Sequence, residues 1–186
     1  ARPWAIPGTP GLEHRLGAAH TPAHAAWTLL LHTLAPDTRR DDFTGQLAGA
    51  GATRWLASFG AEVIRIEDPI RQGRWDILRG SPPFKDERRG IEFGSGFQNH
   101  NVEKLGITLN LRTERGHELL EELVKVSDVV SENFAAGVLD RMGLGWDRLQ
   151  ELKGDIIYVS NCGFGQTGPY GTFKSWGPIA QAVSGV

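Results

Sequence analysis

From residue 42 onward the chain alternates strand-like with helix-like segments, an order that few folds can accommodate. Residues 51–60 read as a short helix closed by glycine, and Glu62–Glu67 (EVIRIE) as a strand with period-two alternation. A second strand is expected at Ile107–Leu111 (ITLNL). Thr113 then opens a helix as its N-cap, with Leu119, Leu120, Leu123 and Val124 as its apolar stripe and Glu118, Glu121, Glu122 and Lys125 on its wet face. Strands at 128–132 and 155–161 follow, separated by short helices near 138–142 and 146–153. Strands joined through helices run parallel, because each helix carries the chain back to the edge from which the next strand starts. The expected fold class is therefore α/β: a Rossmann-like parallel sheet with crossover helices.

Residues 1–40 break this rhythm with Pro3, Pro7, Pro10, Pro22 and Pro36, and carry one candidate helix at about 23–35. The expected division is a lead-in over 1–40 and an α/β portion over 41–186 that is incomplete at its C-terminus, since the last apolar turn belongs inside a larger fold. A net charge of −2 provides no basic field for a nucleic-acid backbone, so nucleic acid is not an expected partner. No run reaches the ~18 apolar residues of a membrane span. The single cysteine, Cys162, cannot form an intrachain disulfide, and the first residues lack the order of a secretion signal; a cytoplasmic location is expected.

Glycine is abundant, 24 of 186 residues, and clustered. Two clusters invite a dinucleotide-binding reading. In the first, Gly49 and Gly51 open a helix and the next strand ends in Glu67, a candidate ribose-binding acid. Against it, Arg54 stands where a small residue should let helix and strand approach. In the second, Gly163-Phe-Gly-Gln-Thr-Gly168 has the full spacing but is followed by Pro169, Gly171 and Lys174, so no helix N-terminus faces the loop. No histidine or cysteine spacing marks a metal site, and no serine has a nucleophile-elbow setting. Cys162 ends an apolar run and reads as a small core residue.

Four ordered blocks carry more information than either glycine cluster. They are the run from Ala48 through Thr53, Leu56, Phe59 and Gly60 to Glu67; the Asn101, Lys104, Ile107–Leu111 block; Ser127–Phe134 with Leu139–Gly143; and Ile156–Tyr170. Together they resemble the N-terminal part of the class III CoA-transferases, the CaiB/BaiF family, over about residues 42–186.

The resemblance implies the N-terminal portion of a class III CoA-transferase fold and an enzyme that moves coenzyme A from an acyl-CoA to a carboxylic acid. The implied route uses an enzyme carboxylate, as an anhydride and then an aspartyl-CoA thioester. In relatives that aspartate follows a segment matching Gln181–Gly185, so it is expected beyond residue 186 and no catalytic residue is assigned within the chain. By the same resemblance the CoA-binding positions are Gln46, Leu47 and Ala48 near the thioester, Leu109 and Arg112 at the nucleotide end, and Asn133, Phe134, Arg141 and Met142 along the adenine and pantetheine. Coenzyme A and acyl-CoA are implied as substrates rather than tightly bound cofactors. The implied partners are a second copy of the chain in a homodimer, or a chain supplying the C-terminal part. The alternatives are a Rossmann-type nucleotide-binding module using Gly49, Gly51 and Glu67, and the acyl-CoA racemase branch of the same superfamily. Its histidine and aspartate fall where Ser175, Trp176 and Gly177 stand here, which favours the transferase. One departure concerns fold: Arg39, Arg40 and Asp41 interrupt the apolar first strand of relatives, so that strand is expected to be missing or replaced by the 23–35 segment.

Overall fold

The computed structural model describes residues 38–185. Five strands, all parallel, form one sheet: β1 (Arg39–Asp42), β2 (Glu62–Glu67), β3 (Leu105–Thr108), β4 (Val129–Glu132) and β5 (Ile157–Ser160), in the order β3-β2-β1-β4-β5. The α/β expectation and its parallel sheet are thus what the chain adopts. β1 to β2 is crossed by α1 (Ala48–Ser58), and β2 to β3 by a long excursion with two 3₁₀ turns and α2 (Ser95–His100). α3 (Glu114–Lys125) joins β3 to β4, and α4 (Val138–Arg141) with α5 (Trp146–Leu152) joins β4 to β5. A last helix, α6 (Gly177–Ser184), follows β5.

The expectation for the first strand is corrected here. Arg39–Asp42 is that strand, and it is the central one, paired with β2 on one side and β4 on the other. The candidate helix at 23–35 lies outside the described residues. In the mid-sheet strand Arg-Arg-Asp-Asp the two end residues have partners, while the Asp41 carboxyl between them has no hydrogen-bond partner among the described residues. The Arg39 N–H donates to Asp128 and its guanidinium pairs with Glu62, while Asp42 is buried among donors.

Strand alternation divides the core into two layers. Ile64, Ile66 and Val130 point to the face covered by α3, α4 and α5, where they meet Leu120, Val124, Leu139 and Leu149. Val63 points to the other face, against Ala57 of α1. Thr113 caps α3 as expected, its hydroxyl accepting the Gly116 N–H at 3.1 Å. The α3 stripe is narrower than predicted: Leu120 and Val124 are buried and Leu123 half-buried, whereas Leu119 is 41% exposed. Cys162 is half-buried beyond the end of β5 rather than in the core. No described helix is long and apolar enough to cross a membrane, and among the described residues no group of three or more His, Cys, Asp or Glu is placed to hold a metal ion.

Candidate functional site

In a sheet of this order the chain grows outward from β1 to one side and then returns to add β4 and β5 on the other. The connections leaving β1 and β4 therefore part in opposite directions, opening a crevice at their carboxyl ends. Two segments meet there, 43–47 after β1 and 133–137 after β4. Asn133 ties them together. Its Oδ1 accepts the Gly45 N–H at 2.9 Å, and its Nδ2 donates to the Gly45 carbonyl at 2.8 Å. Gly49 lets α1 approach, since a Cβ there would strike Thr44 and press on Asn133.

A cleft of about 440 Å³ opens beside this crevice, over the carboxyl ends of the strands. Its walls are mainly apolar: Phe43 after β1, Ile66 at the end of β2, Leu109 and Leu111 after β3, and Phe134 after β4, with Met142 and Trp75 closing the sides. The polar groups that line it are Glu67, Asp68, Arg71, Asn110 and Arg112. Apolar walls with a few convergent polar groups are what a small-molecule site requires.

Of the nine positions expected from sequence, Leu109, Arg112, Phe134 and Met142 come together on this cleft. Asn133, next to Phe134, clamps Gly45 and does not itself line the cleft. Gln46, Leu47 and Ala48 stand at the start of α1 and do not line the cleft; Leu47 is 58% exposed. Arg141 is exposed on α4 and does not line the cleft, although its neighbour Met142 does.

The polar framework behind the cleft was missed by the sequence reading. Arg65, 3% exposed, donates from Nε to Glu67 (2.8 Å), from Nη1 to Asn101 (2.7 Å) and from Nη2 to Asp76 (2.7 Å). Arg79 reaches both Glu67 oxygens (2.9 and 2.7 Å) and Glu92 (2.7 Å), with its guanidinium 3.5 Å from the centre of the Phe97 ring. Glu67 is therefore engaged by two arginines, which removes it as a free ribose-binding acid and weakens the dinucleotide reading. On the other side, Glu132 is 1% exposed and accepts from the Phe134 N–H (2.6 Å), the Tyr158 hydroxyl (2.9 Å) and Gln166 (3.3 Å). Burial, with Glu132 alongside, pushes the Tyr158 hydroxyl well above its usual range, so it stays protonated and donates. Gln166 also accepts the Gly137 N–H at 3.0 Å. The second glycine cluster is thereby a strut for the Phe134 loop, and the next helix begins only at Gly177.

The family model for CoA-transferase family III matches residues 41–186. The chain belongs to that family. Among its relatives, a formyl-CoA:oxalate CoA-transferase of Streptomyces coelicolor is 42% identical over 144 residues, covering 77% of this chain and 33% of the relative. An acyl-CoA transferase of Fusarium pseudograminearum is 39% identical over 148 residues, covering 78% and 32%. In three dimensions the chain is similar to a CaiB/BaiF family protein of Brucella suis, with a TM-score of 0.71 and 36% identity over 80% of this chain and 38% of that one. The chain thus spans about a third of the length of the curated relatives it matches.

Proposed function

We propose that this chain is the CoA-binding N-terminal portion of a class III CoA-transferase that passes coenzyme A from an acyl-CoA to a carboxylic acid. The observation that carries the reading is the apolar cleft at the carboxyl ends of the strands, which gathers Leu109 and Arg112 from the β3–β4 connection and Phe134 and Met142 from the β4–β5 connection. Phe134, Leu109 and Met142 offer flat apolar contact to an adenine or pantetheine. Arg112 offers a guanidinium fork to phosphate, and no side-chain partner competes for it among the described residues. Gln46 supplies a polar group beside the crevice for the thioester oxygen. The nucleophilic aspartate is contributed from beyond residue 186, and the complete enzyme is a homodimer or a pairing with a chain that carries the C-terminal part. Residues 1–40 are a lead-in, and 41–186 an incomplete α/β portion.

Calorimetric titration tests the site. Coenzyme A should bind saturably, NAD should not, and Arg112→Ala should weaken CoA binding by about 1–2 kcal/mol, the worth of a charge-assisted pair. Saturable NAD binding without CoA binding would sink the proposal. Transferase is preferred to racemase because neither Trp176 nor Gly177 can carry a proton to or from an α-carbon. With the C-terminal part restored, CoA should exchange between acids without wash-in of solvent deuterium at that carbon.

A further inference from the structure

Residue 46 sits in a backbone region that glutamine seldom occupies. Its φ is +58°, left-handed, where a Cβ meets its own backbone. Such a conformation persists only when the surroundings over-determine it.

Here the surroundings act from two sides. Asn133 grips the preceding Gly45 through both halves of its carboxamide. From the β2 crossover, the Trp75 ring lies so close to Gly45 that no Cβ would fit there. Beside Trp75, Asp76 accepts the Gln46 N–H on Oδ2 at 3.3 Å. That carboxylate cannot wander. Asp76 is 1% exposed, its Oδ2 also accepts from Arg65 at 2.7 Å, and its Oδ1 takes the Leu78 N–H at 3.0 Å. Arg65 is fixed in turn by Glu67 and Asn101. The Gln46 amide is thus spent on Asp76, so the turn cannot offer it to a ligand. What it has left to offer is the side-chain carboxamide, which bonds to nothing else among the described residues.

We propose that Asp76 is a positioning residue of the CoA site: anchored by Arg65, it holds the Gln46 amide and with it the left-handed turn from which the Gln46 side chain meets the thioester. This rests on the proposed function and adds the device that presets it.

Two readouts on the 186-residue chain separate the device from the function. Without ligand, Asp76→Ala should speed amide hydrogen exchange at Gln46 by about tenfold or more, while Val63 and Val130 in the sheet stay protected. Asp76→Asn, which keeps an acceptor, should stay within about threefold, and it carries the test if the alanine variant does not fold. With CoA, Asp76→Ala and Gln46→Ala should each weaken binding by about five- to tenfold, and the double variant should be no weaker than the worse single one. Unchanged exchange at Gln46, or losses that multiply in the double variant, would overturn the proposal. Failure of the unaltered chain to bind CoA would overturn the functional reading and the role of Gln46 in it, while the exchange readout still decides whether Asp76 holds the turn.

Discussion

Asp41 lies on β1 between Ile64 and Val130, its register neighbours on the face that α3 covers. It is 0% exposed, and neither carboxyl oxygen has a hydrogen-bond partner of good geometry. The Ser127 hydroxyl, which could help, donates to the Leu123 carbonyl at 2.9 Å. Burial therefore dominates and pushes the Asp41 carboxyl up to about 7, with Ser127 and Arg39 offsetting it only in part. The folded protein keeps this proton where the unfolded chain has already lost it. Stability should then fall as pH rises from about 4 to about 7 and level off above that, at a cost on the order of 4 kcal/mol. Asp41→Asn should flatten this stretch of the urea-midpoint profile, and Asp41→Leu should raise the midpoint at pH 8. A pH profile unchanged by Asp41→Asn would refute the assignment. Asp42, one residue on, shows the opposite outcome. It is equally buried but accepts from Lys104 (2.9 Å), Thr53 (2.8 Å) and both donors of Thr44, and Lys104 is itself depressed by burial. Lys104→Met removes the only cation that the carboxylate touches among the described residues and should cost about 3 kcal/mol in denaturant unfolding.

α3 owes its start to one side chain, since the Thr113 hydroxyl holds the Gly116 N–H and no other side-chain cap serves that end among the described residues. Thr113→Ala should lower stability by about 1 kcal/mol in the same assay, with Thr113→Ser close to the unaltered chain. Elements of this kind were legible because their signals are local: a cap, a 3.6-residue stripe, a period-two strand. β1 was not. Its four residues carry no apolar character, and only pairing with β2 and β4, together with the distant partners Asp128 and Lys104, makes Arg39–Asp42 a strand. The excursion between β2 and β3 was opaque for a related reason, being organised by Arg65 and Arg79 through ion pairs and ring contacts with β2 and within the excursion, between residues as far apart as Arg65 and Phe97. The cleft residues Leu109, Arg112, Phe134 and Met142 came from family resemblance rather than local pattern. Phe43, Arg71 and Trp75 sit beside them with no signal short of the fold itself.

Across the whole molecule, apolar exposure is concentrated towards the C-terminal end. Ile157 (58%) and Val159 (46%) share one face of the edge strand β5, and Tyr170, Phe173, Trp176, Ile179 and Val183 are all more than two-fifths exposed. α6 buries none of its residues. A two-sided sheet normally hides both faces, and apolar exposure on this scale marks places where something else packs. The matched relatives run to more than twice the length of this chain, enough to cover it, and no described residue does so. Left uncovered, the face should drive self-association that grows with protein concentration. Ile157→Lys with Val183→Glu should shift the sedimentation profile towards monomer, because each change puts a charge into apolar surface that would have to be desolvated on contact. The same pair should leave the urea midpoint within about 0.5 kcal/mol, since exposed side chains contribute little to a monomer's fold. A lowered midpoint would place these residues in the monomer's own core instead, and unchanged association would mean that the contact lies elsewhere.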